Sequence, residues 1–141
     1  MSFLAEQKFQ TAFVDALNNN EAFNTQALMF DGSVLLEVDS DQLWLKIYKG
    51  QVIDHDTQVP AFGYTFKFSG SQKSWQYLLS GEKLWADLTF PGKRYFDDDP
   101  KLERLGELSV DIATEGNLLE AGRLTEAMFE LAYTLRSVAL Q

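Results

Sequence analysis

The sequence predicts an α+β fold: about five strands in a mainly antiparallel sheet, with helices packed on one face. Three observations predict it. Apolar residues recur at helical spacing near both ends of the chain, at Leu4, Phe9, Phe13 and Leu17 and again from Leu118 to Val138. Between them the apolar period shortens to two. The turns that separate those alternating runs are too short for anything but antiparallel pairing, because a parallel partner needs a long crossover. A sheet of this kind buries one face under helices.

Each element follows in order. Ser2 is a plausible N-cap for an amphipathic helix over 3–17, and Asn18, Asn19 and Asn20 end it, since Asn side chains compete for backbone hydrogen bonds. A short helical turn is expected over 21–28. Val34, Leu36 and Val38 then alternate with Ser33, Leu35 and Glu37; Asp39-Ser40-Asp41 turns the chain, and Leu43, Leu45 and Ile47 alternate with Trp44, Lys46 and Tyr48. Lys49-Gly50 is a tight turn into a short strand over 51–54. Residues 54–61 read as a polar loop. Phe62, Tyr64, Phe66 and Phe68 are expected on one face of a fourth strand, a heavy apolar load that must meet helices, a second sheet or a ligand. Ser71 or Ser74 caps a short helix holding Trp75, Tyr77, Leu78 and Leu79, which Ser80-Gly81 ends. Leu84, Trp85, Leu88 and Phe90 suggest another helical piece, and Pro100 opens a short helix after Asp97-Asp98-Asp99. Leu108, Val110 and Ile112 form the last strand. A single long helix follows from Asn117, its N-cap, with the stripe Leu118, Ala121, Leu124, Met128, Leu131, Leu135 and Val138. Gly122 inside that helix costs about 1 kcal/mol against Ala, which points to close packing, to room for a ligand or to a tolerated accident.

Composition narrows the function. The 141 residues bound the chain to one domain, 1–141. Twelve Lys and Arg against twenty-one Asp and Glu give a net charge of -9, which argues against nucleic acid as a partner, since phosphates need a positive surface. The absence of Cys excludes a disulfide, a thiol nucleophile and a thiolate metal site. No signal-peptide pattern and no long apolar run appear, so the expectation is a cytoplasmic protein without stable membrane insertion. The one histidine lies in Asp54-His55-Asp56, where strand neighbours point to opposite faces, and Asp97-Asp98-Asp99 lacks the spacing of a calcium loop. No nucleophile elbow or phosphate loop is present. The sequence therefore offers no catalytic residue, no cofactor and no metal site, and the expected activity is not enzymatic. The 13% of aromatic residues favours an apolar small molecule or lipid in a cavity, although an aromatic strand face under a helix is ordinarily core.

Three stretches carry a resemblance to a known family: QLWLKIYKGQVI, YTFKFSGSQKSWQYLLSGE and ELSVDIATEGNLLEAGRLTEAM. In their order and spacing they resemble the sterol carrier protein 2 (SCP-2) family of sterol-binding domains. The resemblance covers nearly the whole chain and implies a sandwich of about five strands with helices over one side. It implies binding of sterols, fatty acids, acyl-CoA, phospholipids or isoprenoid lipids in an apolar tunnel between sheet and helices, without catalysis. The expected lipid-binding residues are Phe13, Leu17, Leu45, Tyr64, Phe66, Trp75, Leu79, Trp85, Leu124, Met128, Leu131 and Leu135. The chain departs from the family pattern in the extra turns of 82–107 and in its acidic charge. The alternative is an accessory or scaffold protein whose cavity its own side chains fill, acting through protein contacts or as a homodimer.

Overall fold

The computed structural model describes residues 2–89 and 110–140. The Asp97–Asp99 run, the short helix expected after Pro100, and Phe90 lie outside them, as do the first residues of the expected 108–113 strand.

The first turns are pinned rather than continuous. The Asp41 carboxylate accepts hydrogen bonds from the Ser2 backbone N–H at 2.7 Å and from its hydroxyl at 2.8 Å. Those bonds hold the Asp41 carboxyl below its ordinary pKa. Ser2 in turn caps a single 3₁₀ turn, Phe3–Ala5, and Glu6 is extended, so helix α1 runs only over Gln7–Asn18. The expected 3–17 helix is thus split at Glu6, because the start of the chain is tied to the sheet.

The three asparagines do more than stop α1. Asn18 bonds both backbone groups of Val52, donating to its carbonyl at 3.0 Å and accepting from its N–H at 2.7 Å. Val52 sits on the edge strand of the sheet, where unpaired backbone groups invite aggregation, and Asn18 covers them. Asn20 caps helix α2 (Glu21–Gln26) and donates to Thr134 at 3.1 Å.

Strands β1 (Asp31–Val38), β2 (Asp41–Tyr48) and β3 (Gln51–Asp56) form a meander. Lys49 and Gly50 both have positive φ, as the tight β2–β3 turn requires. Strand β3 extends two residues past the expected 51–54, so Asp54-His55-Asp56 belongs to a strand and not to the loop. Strand β4 (Phe66–Gly70) lies parallel to β1, and β5 (Ile112–Gly116) antiparallel to β4, giving the order β3-β2-β1-β4-β5. The expected 108–113 strand is therefore displaced toward the C-terminus; Val110 lies outside it.

The parallel pair sets the path of residues 57–65. The chain must leave β3 at one edge and enter β4 beyond β1. It crosses the face away from the helices, where the Phe62 ring meets Trp44 edge-on at 5.8 Å and the Thr65 N–H donates to Ser33 O at 3.0 Å. This overturns the expected single aromatic face. Only Phe66 and Phe68 point into the core, while Phe62 is largely exposed and Tyr64 lies over Lys67 on the outer side. Gly63, at φ +80°, lies between Phe62 and Tyr64 and permits a turn within the crossing segment.

Leu35 and Trp44 are consequently buried on the outer face, under the crossing. Beside them a charge network spans four strands. Glu37 accepts from Ser69 at 2.7 Å and from Gln42 at 2.9 Å, and Lys67 lies 3.7 Å from Glu37 and 3.3 Å from Glu115. Burial by itself raises the Glu37 pKa, but the hydrogen bonds from Gln42 and Ser69 and the charge of Lys67 outweigh it and hold the carboxyl below its ordinary value. Burial would lower Lys67, but its bond to Glu115 and the charges of Glu37 and Glu115 raise it instead.

Helices cover the inner face. Ser71 caps α3 (Gln72–Ser80), accepting from Ser74 N, and Gly81 ends it in the left-handed conformation. A short α4 (Trp85–Thr89) follows. The expected long C-terminal helix is two: α5 (Leu118–Arg123), with Asn117 accepting from Glu120 N, and α6 (Thr125–Ala139). Helix α6 packs against α1 and α2, and its buried stripe joins the inner side chains of β1, β2 and β4 in one core.

Two outcomes are expected. A Cβ at position 50 would press on the Asn24 carbonyl, and φ there is +78°, so Gly50→Ala should lower unfolding free energy by about 1 kcal/mol or more in urea titration. A depressed carboxyl contributes stability above its unfolded pKa and loses it as pH falls through the folded one. Glu37→Gln should therefore be less stable at neutral pH and show a shallower loss of stability as pH falls below the ordinary Glu value of 4.5, measured by urea titration across that range.

Candidate functional site

The space between the inner face and the last helices is where a guest would sit, and aromatic rings fill most of it. Phe30 meets Phe66 at 5.8 Å, Phe66 meets Phe68 at 5.7 Å, Phe68 meets Trp85 at 4.9 Å and Trp85 meets Trp75 at 5.9 Å. The two contacts of Phe68 are edge-to-face and the other two tilted, and close ring contacts of this kind hold the rings in place. The Trp75 indole N–H is anchored as well, donating to Glu37 O at 3.0 Å.

Eleven of the twelve expected contact residues belong to this packed core, Trp85 and Met128 among them. Phe13, Leu17, Leu45, Phe66, Trp75, Leu131 and Leu135 are fully buried, with Leu79 and Leu124 nearly so. Tyr64 stands apart, on the outer face over Lys67 at 5.9 Å. Trp85 and Met128 are the two that border open space.

That space is a cleft of about 430 Å³ at the β5 end of the molecule. Phe68 and Trp85 form its floor. Ala121 and Gly122 of α5, with Thr125 and Met128 of α6, make one wall, and Val110, Ala113 and Thr114 make the other. Thr89 and Leu118 complete the lining. The volume falls in the range of small-molecule sites, roughly 300–1,000 Å³.

The break between α5 and α6 shapes the cleft. Gly122 weakens the helix there, Leu124 turns inward at φ -102°, and the Thr125 hydroxyl donates back to Gly122 O at 2.7 Å. No described atom lies within 4 Å of where a Gly122 side chain would begin. Of the three accounts of Gly122, room beside the helix fits and close packing does not.

Among the described residues the cleft carries no charged side chain. Its Thr125 hydroxyl is turned onto the helix, and the Thr89 hydroxyl donates to Trp85 O at 2.8 Å. Neither is aimed at a guest. The cleft can bury hydrocarbon, and its described lining offers no side-chain cation for a carboxylate or phosphate. Among the described residues no three His, Cys, Asp or Glu side chains are grouped to hold a metal. No helix among them is long and apolar enough to cross a membrane.

The sequence expectations missed most of this lining. Trp85, Met128 and Gly122 are the signals that reached it. Ala113, Thr114 and Val110 carry no pattern that separates a cleft wall from an edge strand.

Comparison with known proteins gives the fold. Neither family models nor curated proteins match the sequence. Among solved structures, a crystal structure of sterol carrier protein 2 is similar, with a TM-score of 0.67 at 18% identity, covering 96% of this chain and 98% of that one. The solution structure of a conserved hypothetical protein from Thermus thermophilus gives a TM-score of 0.60 at 17% identity, covering 94% and 87%. A UbiJ-SCP2 ubiquinone synthesis protein gives 0.52 at 15% identity, covering 100% and 98%. The chain has the sterol-carrier-protein fold, an α+β sheet of five strands with helices on one face.

Gly122→Ala should stabilise the protein by up to about 1 kcal/mol, since the methyl meets nothing and Ala is the better helix former. A thermal or urea scan checks it; a destabilised variant would mean that the space is not open.

Proposed function

We propose that the protein binds and carries a hydrocarbon-tailed lipid without catalysis, with the tail in the cleft beneath Gly122 and the polar head outside. The observation that carries this reading is the uncharged, largely apolar cleft of about 430 Å³, whose helix wall is left open at a glycine. The likeness in fold to sterol carrier protein 2 supports it, as does the likeness to a ubiquinone synthesis protein of the same architecture. This reading puts the guest in the cleft rather than in the expected tunnel, because the protein's own rings pack much of the centre.

The chemistry is burial. Each CH₂ withdrawn from water contributes roughly 0.8 kcal/mol, so a ten-carbon tail gains about 8 kcal/mol before ordering costs. A neutral tail such as an acyl or isoprenoid chain suits the lining, and the phosphates of an acyl-CoA would have to stay outside it.

A second reading has its own observation. The ring contacts from Phe30 to Trp75 are those of a filled core, and they favour an accessory or scaffold protein that works through contacts with other proteins, or as a homodimer.

The two readings part on one variant. A Cβ at position 122 meets no described atom within 4 Å, so Gly122→Leu extends a side chain into that space. Under the lipid reading the wild type binds a fluorescent fatty acid at micromolar concentration and Gly122→Leu loses at least tenfold in affinity while unfolding at an unchanged or higher temperature. Native mass spectrometry of fresh protein should show a lipid adduct that the variant lacks. Equal probe binding by both proteins, or none by the wild type, would sink the cleft as a lipid site.

A further inference from the structure

Half of the large exposed apolar side chains share one end of the sheet. Ten large hydrophobic residues stand out among the described ones, and five of them, Leu28, Met29, Tyr48, Leu118 and Leu119, gather at one end of the sheet. The strand register places them there. Asp31 at the start of β1 pairs with Tyr48 at the end of β2, so the 27–30 turn and Tyr48 share that end. Gly116 at the end of β5 pairs with Phe66 at the start of β4, and Asn117 N donates to Thr65 O at 2.8 Å, so Leu118 and Leu119 emerge at the same end. Thr65 also bonds Ser33 near the start of β1, which links the two groups.

We propose that this end docks reversibly on a zwitterionic lipid surface, such as the phosphatidylcholine face of a bilayer. Three features select that occupant. The first is shape: Met29 is 92% exposed and Leu119 78%, so they project singly from separate turns. A protein partner, a second copy included, needs a complementary surface of about 800 Å² on each side. A lipid interface accepts separate projecting side chains. The second is charge. In a chain of net charge -9, residues 27–30 and 117–119 carry none, and the neighbouring Asp31 is neutralised by Lys46 at 2.9 Å. The charged side chain at the β2–β3 tip is Lys49, lying over the Tyr48 ring at 5.4 Å. An aromatic ring with a polar edge and a flexible ammonium suits the headgroup layer, whereas an anionic membrane would repel the acidic remainder. The third is continuity: Leu118 also lines the cleft, so the docked end places the cleft mouth at the lipid.

The purpose of this surface rests on the lipid reading above, but its existence does not. The test is flotation of the full chain with phosphatidylcholine vesicles, comparing wild type with Met29→Asp/Leu119→Asp and with the apolar exchange Met29→Leu/Leu119→Met. Wild type and the apolar exchange should float with the vesicles, and the double Asp variant should partition at least tenfold less while binding the monomeric fluorescent fatty acid as well as wild type. Wild type that stays with the soluble fraction, or equal flotation of all three proteins, would overturn docking. So would a wild-type dimer in light scattering that the double Asp variant dissolves, since it would assign the surface to a second copy. Vesicle binding that persists without any fatty-acid binding would uphold docking and refute the cleft.

Discussion

The chain of rings from Phe30 through Phe66, Phe68 and Trp85 to Trp75 is the constraint on which the rest of the structure turns. Its members come from five separate places in the sequence: the turn before β1, two positions of β4, and one each in α3 and α4. Strand β4 presents Phe66 and Phe68 inward beside β1, to which it runs parallel, and the 57–65 segment reaches it over the outer face. That crossing buries Leu35 and Trp44 on the side opposite the helices and sets Tyr64 beside the Lys67 network. One set of packing contacts thus decides both faces of the sheet.

Much of this was legible where the determinants are local. The two hairpin turns were read from Asp39-Ser40 and Lys49-Gly50, and the caps at Ser71 and Asn117 from single side chains, because a turn or cap needs only its own few residues. The order of elements and the one-sided covering followed from periodicity. What stayed hidden depends on residues far apart. Phe62 and Tyr64 continue the alternation of Phe66 and Phe68 without a flaw, and only the topology sends them to the other face. The break at Leu124 has its local sign in Gly122, but seven apolar positions at helical spacing outweighed one glycine. Ser2 was a sound cap for the wrong element: Asp41, thirty-nine residues away, decides where the first helix begins.

The site was legible as a kind of residue and not as a place. Twelve apolar contacts were expected along the gap, and two of them border the cleft. Pattern shows that a side chain faces inward; it does not show whether a neighbour fills the space beside it. Leu135 and Met128 belong to the same stripe of the same helix and both are buried, yet only Met128 also borders the cleft. That difference lies on the β5 side, beyond Phe68 and Trp85, where the ring chain brings no further described aromatic.

A ring-filled centre and an open end are compatible, and together they constrain any guest. Protein interiors are packed as densely as organic crystals, so locked rings yield little to a ligand pressing on them. On the proposed reading, a tail in the cleft would rest against Phe68 and Trp85, both fixed by the ring contacts, as its floor. Affinity would then rise with tail length only until the floor is reached, and further methylenes would remain in water or lipid without contributing. A continuous tunnel imposes no such limit. On the proposed lipid reading, the dependence of affinity on tail length therefore separates a cleft bounded by Phe68 and Trp85 from a continuous tunnel.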